Sequence, residues 1–282
     1  MPGSYPNQID RYQDGDWKRT ESEVIVEAAV SLTVNGEPWL TFRCTPINLE
    51  ALAVVYLFDE VLIKAKEEIA SVYVCEHQDN IDVWINHPVQ KPTVWQRTSG
   101  CTGGMTAVES TVHLPPVPVN EPSMDFQDIS PEQVNALVRL LFKAQHLYRS
   151  AGGVHTSVLS DGASIIVSSE DIGRHNTLDK IAGLCLLQDL HPPRRILLTT
   201  GRISSEMIQK AARIGSSVVI SYTSPSSISI QLAQQMGIVL IGYARGSRFN
   251  VYSHPEKVLK NGRSKNDLAG VCVPASASAG VL

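Results

Sequence analysis

Aromatic residues make up only 6% of this 282-residue chain, and its longest strongly apolar stretch, Ala51 to Phe58, is short. A membrane-spanning helix needs about 20 such residues, so membrane spanning is not expected. The opening residues, MPGSYPNQIDRYQDGDWKRTESE, contain no apolar h-region, which argues against a secretory signal. Cysteine is scarce as well: five residues, at 44, 75, 101, 185 and 272, with no CxxC pair. An odd, scattered set does not make a disulfide framework, and without paired cysteines a structural zinc site is not expected. A reducing cytoplasm is the expected home.

What the chain does have is core material. Hydrophobic residues reach 43%, with a mean hydropathy of -0.03, enough for one large domain or two modest ones. The net charge of -4 hides an uneven distribution. Residues 1–184 carry 13 Lys and Arg against 24 Asp and Glu, whereas residues 185–282 carry 11 against 4. That swing points to an anionic partner for the C-terminal part. A nucleic-acid face would show a dense basic stripe with interleaved aromatics. Here the basic residues are spread among Ser, Gly and Thr, which suits a compact phosphate site better.

Residues 1–20 are polar and are expected to be a flexible leader. Residues 21–113 read as an α+β domain: strands over 23–34 and 38–42 joined by Asn35-Gly36, a helical run opened by Thr45-Pro46, and strands over 70–75 and 81–85. Residues 114–130, which hold Pro115, Pro116, Pro118 and Pro122, read as a linker. A second domain is expected over 131–260. Ser130, Pro131 and Gln133 form a helix start, followed by a hairpin over 154–167 and a helix over 176–187 capped by Asn176. Strands over 195–200, 217–222 and 238–243 then alternate with helices over 204–214 and 225–236, the latter capped by Ser224, and a last strand covers 249–252. That alternation predicts an α/β domain with a mostly parallel sheet. Residues 261–282 read as a loose tail.

In an open α/β sheet, ligands sit beyond the carboxyl ends of the strands. Those ends hold Thr199-Thr200-Gly201-Arg202, Ser221-Tyr222-Thr223-Ser224 and Tyr243-Ala244-Arg245-Gly246-Ser247-Arg248. Two helix N-termini face the same edge, the glycines admit close backbone approach, and Arg202, Arg245 and Arg248 can hold phosphates bidentately. The combination suits a diphosphate, although Ser, Thr and Gly are also ordinary turn and cap residues. Arg174 and His175 lie in a second cluster, EDIGRHN; His175 is either an acid–base group or a hydrogen-bonded turn residue. His155, on a strand, reads as a satisfied core histidine.

The segment Thr98-Ser99-Gly100-Cys101-Thr102-Gly103-Gly104 stands apart. A cysteine among glycines lies on a loop, and its thiolate could act as a nucleophile helped by Arg97; a buried turn cysteine is the alternative. Cys75 and Cys185 fall on apolar strand and helix positions, where small buried hydrophobes are expected.

The segments EDIGRHNTLDKIAG from Glu170, TGRISSEMIQKAARIG from Thr200, SPSSISIQLAQQMGI from Ser224 and ARGSRFNVYS from Ala244 resemble the FdhD family of formate dehydrogenase accessory sulfurtransferases. The resemblance runs over nearly the whole length. It implies a homodimeric carrier that accepts persulfide sulfur from a cysteine desulfurase and passes it to the bis-molybdopterin guanine dinucleotide cofactor, which formate dehydrogenase then receives. It implies a cytidine-deaminase-like, three-layer C-terminal domain. The persulfide cysteine maps onto Cys101 and the guanine-dinucleotide stretch onto Tyr243 to Arg248, so GDP-like nucleotides would occupy the site, with Arg202 and Arg174 as further cofactor-binding residues. Many members carry a second cysteine where this chain has Gly104, so a relay between two loop thiols is impossible here. A cofactor chaperone that donates no sulfur also fits. A zinc deaminase of the same architecture would need HxE and PCxxC motifs, which are missing, and no metal site is expected.

Overall fold

The computed structural model of the chain describes residues 3–92, 95–97, 105–107 and 128–258. Cys101, the expected tail and all but the last three residues of the expected linker lie outside the described residues.

The first two strands, β1 (Ser4–Gln13) and β2 (Asp16–Ile25), pair antiparallel along their whole length. Where the polar composition suggested a flexible leader, the chain therefore forms a hairpin. The reason lies in Asp14-Gly15, whose φ values of 52° and 95° are those of a type I′ turn, the tightest connection between twisted strands. The strands are polar because most of their side chains stay in solvent.

The same turn chemistry at Asn35-Gly36 joins β3 (Ala28–Val34) to β4 (Glu37–Cys44). The helix α1 (Leu49–Asp59) follows, then β5 (Ile69–Val74) and β6 (Asn80–Ile85). These strands form a four-stranded sheet in the order β4-β3-β6-β5, with β3 and β6 parallel. Val30, Leu32 and Val34 alternate inward from β3 and meet Leu52, Tyr56 and Leu57 of α1 in one core. Nine of the eleven residues of α1 are buried. A helix apolar all round must be covered on all sides, and α1 lies between this sheet and a helix of the C-terminal half. The short strands β7 (Trp95–Arg97) and β8 (Met105–Ala107) pair antiparallel.

The C-terminal half opens with α2 (Pro131–Lys143). As the sequence predicts, Ser130 Oγ accepts the Gln133 amide at 3.2 Å while Gln133 returns the bond to the Ser130 amide at 3.1 Å. A short helix, α3 (His146–Ala151), leads into β9 (His155–Ser160) and β10 (Ile165–Asp171). Then come α4 (Arg174–Leu187), β11 (Ile196–Thr199), α5 (Ser205–Arg213), β12 (Val218–Ser221), α6 (Ser227–Gln235), β13 (Val239–Arg245) and β14 (Arg248–Ser253).

The six-stranded sheet runs β10-β9-β11-β12-β13-β14. Only the β11–β12 and β12–β13 neighbours are parallel; the other three pairs are antiparallel. The mostly parallel sheet expected from sequence is thus a mixed one, because the hairpins β9–β10 and β13–β14 flank the parallel centre. Val158, Leu198, Ile220 and Ile241 pack on α2 on one face. Leu159, Leu197, Val219 and Leu240 meet α4, α5 and α6 on the other, which makes three layers.

Two caps also differ from expectation. Ser226, not Ser224, caps α6, reciprocally with Ser229. The residue before α4 is Gly173, and Asn176 lies inside the helix. The Asn176 amide instead donates to Arg43 O and to Asp171 Oδ1, each at 2.9 Å.

Those bonds belong to the seam between the halves. Lys180 and Asp171, both fully buried, pair at 2.5 Å. Lys180 Nζ also donates to Thr45 O at 2.8 Å, and Asp171 Oδ2 accepts the Thr45 amide at 3.0 Å. A charge in such a place is tolerated only when paired and fully hydrogen-bonded. At the far end of α1, Asp59 pairs with Lys210 at 3.3 Å and Arg213 at 3.0 Å of α5, and Lys210 also pairs with Asp179 of α4.

Candidate functional site

Because β11, β12 and β13 run parallel, their carboxyl ends share one edge of the sheet. The start of β9 and the end of β10 reach the same edge: Thr199 pairs in register with Ser157, and His155 with Asp171. The connections there are stitched to one another. Gly201 N donates to Thr199 Oγ1 at 3.1 Å, and Ser221 Oγ donates to Gly201 O at 2.7 Å. Ile203 N bonds Ser224 O, Ser226 N bonds Ile203 O, and Tyr243 N bonds Thr223 O. Thr199 Oγ1 further accepts from Ser157, which also bonds Thr177. Thr199 and Ser221, read from sequence as possible anion donors, are fully buried and serve this frame instead.

Two groups of side chains rise from the frame. The first is aromatic and cationic. Arg245 lays its guanidinium 4.5 Å from the centre of the Tyr222 ring and 6.0 Å from that of Tyr243, and its Nε donates to Tyr222 O at 3.4 Å. Phe142 of α2 meets Tyr222 edge-on at 5.3 Å. Tyr243 is 43% exposed and holds a φ of 50°, a left-handed conformation that turns the chain at the edge. Arg245 and Arg248 are paired and exposed across a tight β13–β14 turn. Gly246 takes the positive φ (58°) that a type II′ turn needs at its first central position, with Ser247 exposed beside it. Ala244 points into the core, so only its backbone faces the site. An exposed Arg–Tyr stack is a platform for a planar ring, and its cations favour an anionic one.

The second group lies at the β9–β11 side. Arg174 opens α4 and is 7% exposed. Its stem crosses Gly201 so closely that a Cβ there would stand 2.9 Å from Arg174 Cβ, which is why that position is glycine. Arg202 follows and is exposed. His175 is buried; its Nε2 lies 3.1 Å from Glu206 Oε2 and 3.3 Å from Ser204 Oγ, tying α4 to the first turn of α5. It lies within α4 rather than in a turn, and it is hydrogen-bonded. His155 is not the enclosed core residue expected: it is half-buried, with Nδ1 3.4 Å from Thr200 Oγ1. Burial, and after it the Arg174 charge, holds His155 below the usual histidine range. Sequence reasoning named Tyr222 at a strand end without giving it a role, read His155 as a core residue and did not name Phe142; the signal available for His155 was its place at the very start of a strand.

Glu170 has another duty. Its carboxylate accepts the amides of Leu147 and Tyr148 at 2.6 and 3.0 Å and so caps α3. Two of the described cysteines, Cys44 and Cys185, are held away from the thiolate form. Burial pushes Cys44 up to about 12 and Cys185 up to about 11. Cys75 lies just past β5 rather than inside it, and its thiol donates to Asp79 at 2.9 Å. Among the described residues no group of three His, Cys, Asp or Glu side chains is placed to hold a metal ion, and no helix is long and apolar enough to cross a membrane.

A profile of the FdhD/NarQ family matches residues 25–259. The chain belongs to the FdhD/NarQ family. Two relatives, each named sulfur carrier protein FdhD, come from Staphylococcus aureus strains MRSA252 and Newman. They are 33% and 32% identical to it over 254 residues, covering 89% of this chain and 95% of theirs. A crystal structure from Desulfotalea psychrophila, assigned as a formate dehydrogenase accessory protein, superposes with a TM-score of 0.69 at 26% identity, over 92% of this chain and all of that one. The family match thus takes in the whole of the edge just described, together with β3–β6 and α1.

Proposed function

We propose that this chain is a sulfur carrier for formate dehydrogenase, with a cytidine-deaminase-like C-terminal half. The observation that carries the reading is the 89% coverage by relatives named as sulfur carriers; the cationic, aromatic edge gives it a place for cargo. In this reading the Cys101 thiolate attacks the terminal sulfur of a persulfide on a cysteine desulfurase. The donor S–S bond breaks, the desulfurase cysteine leaves as thiolate, and Cys101 carries the new persulfide. The Cys101 S–S bond then breaks, with Cys101 leaving as thiolate. The terminal sulfur, taken to sulfide by two electrons from the reduced metal centre of the cargo, passes to bis-molybdopterin guanine dinucleotide, held as substrate with its guanine end over Tyr222, Tyr243 and Arg245. Arg248, Ser247 and the backbone of Ala244 and Gly246 flank that end, and Arg202 and Arg174 serve the phosphates. GDP-like nucleotides occupy the same edge. The protein works as a homodimer in the reducing cytoplasm, which agrees with free, buried Cys44 and Cys185.

Gly104 favours one rival: a chaperone that grips the cofactor and donates no sulfur. Incubation with a desulfurase and 35S-labelled cysteine separates the two. The carrier reading expects label on the wild-type protein and none on Cys101→Ala; equal retention in both overturns it. In the same preparations, Arg245→Ala is expected to weaken GDP binding about tenfold, the loss of a cation–π and phosphate contact worth about 1–2 kcal/mol.

A further inference from the structure

We propose that Phe142 is a positioning residue for the nucleotide edge. It holds Tyr222 where the Arg245 guanidinium stacks, so the platform stands ready before a base arrives. The inference deepens, and rests on, the reading of this edge as a nucleotide site.

Phe142 stands outside the packing that joins α2 to the sheet. The helix buries Val134, Leu137, Val138 and Leu141 against that sheet. Phe142 comes one position after Leu141, which turns it about 100° away from the buried stripe, and it stays 37% exposed. Its ring meets Tyr222 instead, with 5.3 Å between centres and 89° between planes. That is the edge-on geometry that aromatic pairs favour.

Tyr222 needs such a neighbour because it has just left the sheet. It follows the last residue of β12 and is half-buried. Its amide is fixed on Thr199 O at 3.0 Å, but the ring turns on side-chain torsions of its own. Arg245 depends on where that ring stands. Its guanidinium is stacked on Tyr222 at 4.5 Å and its Nε donates to Tyr222 O at 3.4 Å, whereas the Tyr243 ring lies farther off at 6.0 Å.

An arginine side chain has many rotamers, and ordering it at the moment of binding lowers affinity. A guanidinium already stacked in the free protein avoids that loss. Phe142 thereby acts on affinity through two side chains in line, without touching the base. It does so from a helix, which holds a side chain more firmly than a loop does.

The test uses the full chain, with GDP as the probe. Phe142→Leu keeps apolar bulk but removes the ring, and it is expected to weaken GDP binding about three- to fivefold in calorimetry. Phe142→Tyr, which keeps a ring, should recover most of that loss. Adding Phe142→Leu to Arg245→Ala should weaken binding by less than about twofold further, because the effect runs through the arginine. A readout without ligand comes from NMR of the Arg245 side chain, assigned by its loss in Arg245→Ala. Stacking over a ring moves those proton signals upfield, and Phe142→Leu should return them toward the position of free arginine. A merely structural role would lower Tm and leave the signals in place. Wild-type GDP affinity in Phe142→Leu, unmoved Arg245 signals, or the same loss repeated in full on top of Arg245→Ala overturns the inference and leaves the nucleotide site standing. No GDP binding by the wild-type protein overturns the site itself.

Discussion

Lys180 and Asp171 show how one residue pair can settle an architecture. Both are fully buried, and between them they bind Thr45, Gly173 and Asn176. Removing one partner strands the other charge away from water, a loss of about 3–5 kcal/mol. Lys180→Ala is therefore expected to lower the unfolding free energy measured in urea melts by that amount. Lys180→Met combined with Asp171→Leu, which removes both charges and fills the space, should recover part of the loss; a single Lys180→Ala within 1 kcal/mol of wild type contradicts the account. The sequence placed Asp171 and Lys180 in a conspicuous segment, EDIGRHNTLDK, but nothing local distinguished the residues of that segment that face the strand-end edge from those that hold the fold. Glu170 caps a helix, Asp171 and Lys180 pair, His175 braces α5, and Arg174 alone lies against Gly201 at the edge. Apart from the Asp171–Lys180 pair, nine positions apart, the hydrogen-bond partners that set these duties lie 22 to 135 positions distant, which spacing does not encode.

At the level of elements, the crossing of α1 over α4 depends on a missing side chain. A Cβ at Gly183 would stand 2.0 Å from the carbonyl oxygen of Ala51, so the two helices touch backbone to backbone. Alanine is the better helix former by about 1 kcal/mol, yet the overlap forces the helices apart at a cost of about 1–3 kcal/mol or more. The steric term wins, and Gly183→Ala should destabilise the protein in thermal melts; a rise in Tm would show that the contact yields easily. Elements with local signals were legible: the Asn35-Gly36 hairpin and the Ser130–Gln133 box are where the residues put them. The opening hairpin was missed although Asp14-Gly15 carries the same signal, because its strands lack a buried face. The Ser224 and Asn176 caps were misread because each segment offers several capping residues, and tertiary bonds chose among them.

For the molecule as a whole, the alternation of strand and helix from 195 to 243 identified an α/β half, but only the centre of its sheet is parallel. The flanking strands pair by hairpins, so they leave no helical crossover for periodicity to reveal. The site followed the same logic: the edge was legible from strand-end composition, and its division into an aromatic part and a His155 part was not. With charged pairs at both ends of α1 and Leu186 of α4 packed into the first core, the two sheets are expected to melt together. Tryptophan fluorescence, which reports Trp39 in the first core, and far-UV circular dichroism should give one coincident midpoint. Separate midpoints would mean independent folding.

Nearly every side chain of α1 is enclosed by partners from both halves. A protease cut between the sheets should accordingly leave the fragments clasped, as a nicked but intact particle on a sizing column. Either fragment made by itself would bare a greasy surface and collect in inclusion bodies. Co-production of the two pieces is thus the way to bring the six-stranded sheet back in soluble form from a split gene.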